Sequence, residues 1–114
     1  MKDWHTIRER YLQDALPVRL GGLAANLSRI KSFAQHDAHQ AAVASLLEES
    51  KFFIEWTAAE ADVSTAAELV ELQVQLALWA HAWDEIWHDT AQRQEVAQLS
   101  SRWSQRVLEL SGLL

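Results

Sequence analysis

The residues best spaced for chemistry are histidines and carboxylates. His81, Asp84, Glu85 and His88 fall on one face of a helix, and His81 and Glu85, one turn apart, have the separation of two ligands sharing a divalent ion. His36-x-x-His39, with Asp37 between, offers a second such pair. In an up-down-up-down bundle the end of the third long helix and the connector before the second lie at one pole. That pole collects both groups together with Asp89, so His81, Glu85, His88, His36 and His39 are candidate ligands for a surface zinc or nickel ion. Helix polarity places the same residue types there without a metal, with acids near helix starts and histidines near helix ends. Glu85-x-x-His88 also has the spacing found in di-iron bundles, but that centre needs two copies and two further inward glutamates. Here there is one copy, facing away from the tryptophans, which excludes it.

Other chemistries find less support. Cysteine is absent, which removes disulfides, thiolate nucleophiles and cysteine-ligated metals together. No glycine-rich elbow precedes a serine. Gly21-Gly22 lacks the Gly-Lys-Ser/Thr ending and the preceding strand of a phosphate loop. With Ala24, Ala25 and Ser28 these glycines form a side without bulk, suited to close helix approach or a kink. Glu48, Glu49 and Glu55 form a solvated face. The interior supplies no acid–base pair, so the expectation is a protein that is not an enzyme and needs no cofactor. Six tryptophans remain to be explained. Trp79, Trp83 and Trp87, at i, i+4 and i+8, fill a core opposite Ser50, Ala34, Val43 and Ser100, or line a slot for a flat apolar ligand.

Four apolar ladders position these residues. They are Leu20, Leu23, Leu27, Ile30, Ala34; Val43, Leu46, Ser50, Phe53, Thr57; Leu69, Leu72, Leu76, Trp79, Trp83, Ile86; and Val96, Leu99, Trp103, Val107, Leu110, Leu114. Spacing near 3.5 keeps one stripe of each helix turned toward its neighbours. The fold class read from them is all-α: an up-and-down four-helix bundle with a short extra N-terminal helix, in a single domain over 1–114. Asp3 caps a helix of about 4–15, and Pro17 suits the first turn of a second at about 17–35. Asp37 with Gln40 opens about 38–59, Thr65 with Glu68 opens about 66–87, and Asp89 with Gln92 opens about 90–111, which ends before Gly112.

The third long helix is apolar on two sides. Leu69, Leu72, Leu76, Trp79 and Trp83 share one face, while Val70, Val74, Ala77 and Leu78 occupy the other. A helix greasy on both sides is covered on both. The candidate interface is therefore Val70, Val74, Ala77 and Leu78, covered either by the first helix through Trp4, Ile7 and Tyr11 or by another copy of the chain.

The net charge of −6 is unevenly placed: residues 1–35 carry +3, residues 36–89 carry −10, and residues 90–114 carry +1. Acidic middle helices repel phosphate backbones, which argues against a nucleic-acid partner. The start, Met1-Lys2-Asp3-Trp4-His5, lacks the apolar run of a signal peptide, and no stretch of about 18 apolar residues suits a membrane span. The expectation is a cytoplasmic protein with no membrane partner.

Leu16-Pro17-Val18-Arg19-Leu20-Gly21-Gly22-Leu23-Ala24, Leu47-Glu48-Glu49-Ser50-Lys51-Phe52-Phe53-Ile54-Glu55-Trp56 and Arg106-Val107-Leu108-Glu109-Leu110 resemble stretches of a family of short, uncharacterised helical proteins from cyanobacteria. The resemblance spans nearly the whole chain and implies a cytosolic helical protein, with no activity to carry over. Function reads as a small interaction or scaffold module that self-associates as a homo-oligomer or binds a partner protein. The alternative is a ligand- or metal-binding bundle using the tryptophan-lined interior or the histidine pole.

Overall fold

Six α-helices joined by short turns make up the computed structural model, which describes residues 2–113, with no strand among them. They are α1 (Trp4–Gln13), α2 (Leu16–Ala34), α3 (Gln40–Thr57), α4 (Val63–His81), α5 (Trp83–Trp87) and α6 (Thr90–Ser111); a 3₁₀ turn, Ala58–Glu60, follows α3. None of the described helices is long and apolar enough to cross a membrane.

Local chemistry sets most of the helix ends. Asp3 accepts hydrogen bonds from the Thr6 side chain (2.7 Å) and the Thr6 N–H (3.2 Å), which hold its carboxyl below the usual range. Pro17 lies in the first turn of α2, where no N–H is needed. Asp89 caps α6 as expected, accepting from the backbone of Ala91 and Gln92, but the capping box is not closed: the Gln92 amide donates to the Asp89 carboxylate, and the Asp89 N–H donates to the Ile86 carbonyl at 3.1 Å. Gly112 closes α6 at φ +74°, a left-handed conformation that favours glycine.

Three boundaries differ from the sequence expectation. Thr65 does not open the third long helix. Asp62 does, accepting from the Thr65 N–H (2.8 Å) and hydroxyl (3.2 Å), so α4 gains a turn and Thr65 is buried within it. Asp37 does not cap α3, whose first residue is Gln40: it lies in a turn closed by the His39 N–H donating to the His36 carbonyl at 3.3 Å, and its carboxylate accepts from Arg93 at 3.0 Å. The helix expected over 66–87 is two helices. The chain leaves helical geometry at Ala82 (φ −101°, ψ 15°), and α5 then sets Trp83 so that its indole N–H donates to the Gln40 carbonyl at 2.9 Å.

α2 lies between α3 and α6, while α4 packs against α3 and touches α6 only lightly. The molecule measures 37 × 29 × 21 Å, and its thinnest dimension is about two packed helices. The first ladder is buried throughout, and Val43, Ser50, Phe53, Leu69, Leu72, Leu76, Trp79, Trp83, Ile86, Val96 and Val107 join it. Leu46, Leu99, Trp103 and Leu110 are half-buried, with Leu47 and Ile54 deeper than Leu46 in α3; Leu114 lies outside the described residues. The small side of α2 is not one contact. Ala24 meets α6, where the Ser104 hydroxyl donates to its carbonyl at 2.9 Å, but Ala25 and Ser28 are exposed. A Cβ added at Gly21 or Gly22 would meet the side chains of Leu113 and Tyr11.

Candidate functional site

α4 buries Leu69, Leu72, Leu76 and Trp79 against the core, and its opposite face is bare. Val70, Val74 and Leu78 are 48%, 56% and 60% exposed, Ala77 is exposed beside them, and Val63 at the helix start is 87% exposed. A groove of about 430 Å³ runs along this face toward α3, lined by Phe52, Val74 and Ala77 with Glu48, Lys51, Glu55 and Gln73 at its margin. The Gln73 amide donates to the Lys51 carbonyl at 3.2 Å, which ties α4 to α3 beneath the groove. On the α6 side Arg106 clasps Glu68 through two bonds of 2.7 and 2.8 Å, which hold the Glu68 carboxyl below its usual range. Among the described residues, Glu55 and Glu71 have no cationic partner.

α1 does not cover this face. Trp4 packs against Phe52 (centroids 4.5 Å apart) and Trp56, and Tyr11 stacks on Phe53 at 3.9 Å, so the apolar side of α1 lies on α3. The Tyr11 hydroxyl donates to the Arg19 carbonyl (2.8 Å) and accepts from the Thr57 hydroxyl (3.3 Å). Burial pushes this phenol up to about 12. Beneath it Arg19, itself buried, grips both oxygens of Glu60 at 2.7 and 3.0 Å and donates to the Asp14 carbonyl, which pins the α1–α2 corner to the turn after α3. Tyr11 is thus fully used inside one chain, and Trp4 and Ile7 are half-buried with it. Of the seven residues expected at an interface, four lie on the open face and three on α3.

The histidine pole is organised by Arg93, which the sequence gave no reason to single out. Its guanidinium stacks over Trp87 at 4.1 Å, donates to the Ala34 carbonyl and pairs with Asp37. Asp84 accepts from the Gln40 amide at 3.0 Å, and the His88 Nδ1 lies 2.7 Å from the Asp84 carbonyl oxygen. His39 rests on Phe33, with His36 edge-on at 6.1 Å. His81 and Glu85 stand on either side of the turn at Ala82 and, with Asp84, line one shallow pocket. Among the described residues no three histidine or carboxylate side chains gather as a metal site. Trp79, Trp83 and Trp87 are each at most 8% exposed within the core cluster, and the Trp83 and Trp87 rings are 5.7 Å apart.

Two members of the open face escape the sequence reading. Val63 and Ala67 belong to it, but a helix opened at Thr65 leaves Val63 outside. The signal that recovers both is the three-and-four spacing of apolar residues at 63, 67, 70, 74 and 77. Comparison with protein-family models, with curated proteins and with solved structures finds no match.

Proposed function

We propose that this chain is a non-enzymatic interaction module, an up-and-down four-helix bundle with a short N-terminal helix, that self-associates through the outer face of α4. One observation carries the reading: Val70, Val74 and Leu78 stand about half exposed on one side of a helix whose other side is fully buried, while α1 lies elsewhere. A row of aliphatic side chains on a helix is a surface that burial against another protein stabilises. No polar group on that row offers a reaction, and the nearest charged side chains stand at its margins, where they set orientation. A cytoplasmic setting, implied by the resemblance to the cyanobacterial helical proteins, belongs to the same reading. The test is sedimentation equilibrium over a wide concentration range on the wild type and on Val74→Glu with Leu78→Glu. Mass should rise with concentration in the wild type and stay monomeric in the variant. A wild type that is monomeric throughout refutes the proposal.

A further inference from the structure

Where α2 lies along α6 the surface holds a groove of about 480 Å³ that shares no residue with the α4 face. The two helices run antiparallel there, since Ser104 donates to the Ala24 carbonyl and Arg93 to the Ala34 carbonyl. Ala97, 2% exposed, lies at its base, and it is lined by Lys31 and Gln35 of α2 and by Gln94, Gln98, Ser101 and Arg102 of α6. α2 carries Arg19, Arg29 and Lys31 and no acid, and Glu95, the one acid in this stretch of α6, does not line the groove. Four other grooves on the described surface each carry at least one carboxylate, as a chain with 16 acidic and 10 basic residues leads one to expect. This groove carries two cations and no carboxylate.

Its polar side chains are also uncommitted. Elsewhere on these two helices Arg19, Arg93 and Arg106 are held by carboxylates, and Arg29 by the Asn26 oxygen. Among the described residues Lys31 and Arg102 have neither an ion pair nor a hydrogen bond, and the side chains of Gln35, Gln94, Gln98 and Ser101 bond to no other residue. An ammonium and a guanidinium only donate, while amides and a hydroxyl both donate and accept. Two positive charges in one concavity suit an oxyanion, and the neutral groups beside them suit hydroxyls.

We propose that the α2–α6 groove binds a small phosphate monoester, with Lys31 and Arg102 on the phosphoryl oxygens and the three glutamines and Ser101 on the hydroxyl groups of the body that bears it. The volume lies within the range of about 300–1,000 Å³ usual for small-molecule sites and exceeds what a bare phosphate fills. Two cations match the charge of about −1.5 to −2 that a phosphate monoester carries at neutral pH. A net charge of −6, concentrated in residues 36–89, repels an extended polyanion that would reach beyond the groove, which favours a small ligand over a nucleic acid or an anionic membrane. The groove is open and its charges are screened, so the dissociation constant is on the order of 1 mM. The site is separate from Val70, Val74 and Leu78 and goes beyond the reading of the α4 face.

The test is an NMR titration of the full-length, isotope-labelled protein with inorganic phosphate and with glycerol phosphate, in chloride at constant ionic strength. The side-chain amide signals of Gln35, Gln94 and Gln98 should shift saturably with both probes. Glycerol phosphate should bind about threefold tighter, because its hydroxyls add hydrogen bonds. Lys31→Gln and Arg102→Gln should each weaken binding about fivefold, the size of one charge pair at about 4 Å in water. Both side chains are exposed, so circular dichroism should stay that of the wild type. Arg8→Gln removes the same charge from an exposed, unpaired side chain of α1, which packs on α3, and should change the affinity by less than about 1.5-fold. No saturable shift up to about 20 mM of either probe overturns the site. Equal losses in all three variants overturn it too, since they would show diffuse attraction rather than a groove. Equal affinity for the two probes overturns the role given to the glutamines and Ser101. Val74→Glu with Leu78→Glu should leave the titration unchanged, which keeps this result distinct from that of the self-association.

Discussion

Tyr11 is the only tyrosine in the chain, so its ionisation reports on the docking of α1 alone. Burial raises its pKa to about 12, against the opposing influence of the Thr57 hydroxyl and the Arg19 charge. When α1 lifts off, the phenol returns to a value near 10. Below pH 10 the group is protonated in both states, and its full contribution to docking is present. Between pH 10 and 12 the undocked state gives up its proton while the docked state keeps it, so stability falls as pH rises through that window. Two units correspond to about 3 kcal/mol. Tyr11→Phe removes the hydroxyl that donates to the Arg19 carbonyl and accepts from Thr57, at a cost of about 1–2 kcal/mol at neutral pH. For a chain of this length that lowers Tm by roughly 5–10 °C. The variant should also lose the part of the alkaline decline that belongs to this phenol. The assay follows tyrosinate absorbance and helical circular dichroism together, with thermal melts of both proteins from pH 8 to about 12. Phenolate appearing near pH 10 while the helical signal stays native would refute the argument, because it would mean that Tyr11 is not sealed between α1, α2 and α3.

Four further substitutions probe the helix packing. Ser100→Ala should stabilise the fold by up to about 1 kcal/mol, because the Ser100 hydroxyl is fully buried and has no hydrogen-bond partner; a lower Tm would show that the hydroxyl is satisfied. Asn26 is 1% exposed; its amide donates to Glu49 (3.1 Å) and Ser50 (3.4 Å) across the α2–α3 contact, and its oxygen accepts from Arg29 (2.7 Å) on its own helix. Asn26→Ala should cost about 2 kcal/mol in urea unfolding, and a loss below about 0.5 kcal/mol would deny the network its role. Gly22→Ala should raise the urea midpoint by the equivalent of about 0.5–1 kcal/mol, since helix interiors favour alanine and the new Cβ would sit in ordinary contact, 3.8 Å from Tyr11 Cε1. Gly21→Ala, whose Cβ would press on Leu113 Cδ1 at 3.0 Å, should gain less.

The legible part of this protein is the part set by local periodicity. Leu20, Leu23, Leu27 and Ile30 are buried because side chains three and four apart share a face, and that rule needs no knowledge of the partner helix. What escaped was decided by competition between distant groups. Asp37 has the spacing of a cap, but Arg93, 56 positions away, holds its carboxylate. Nothing between Leu78 and Ile86 breaks a helix by propensity. The bend at Ala82 is accompanied by tertiary bonds, the Trp83 indole to Gln40 and the Arg93 stack on Trp87, that no local window contains. At the histidine pole the turn at Ala82 falls between His81 and Glu85, which no local window shows.

The placement of α1 was the decisive ambiguity, since the sequence left open whether α1 or another copy of the chain covers the outer face of α4. Physical chemistry favours α3. Trp4 and Tyr11 are large rings with polar edges, and α3 offers Phe52, Phe53 and Trp56 for stacking, with the Arg19 carbonyl and the Thr57 hydroxyl nearby for the phenol. The α4 face is a row of valines, alanines and a leucine with no ring to stack on, and its polar groups, Glu55, Glu71 and Gln73 among them, stand only at the margins. What such a face does match is another row of small aliphatic side chains, which leaves no polar atom stranded at its centre. Under the proposed self-association, the outer face of α4 of another copy supplies such a row.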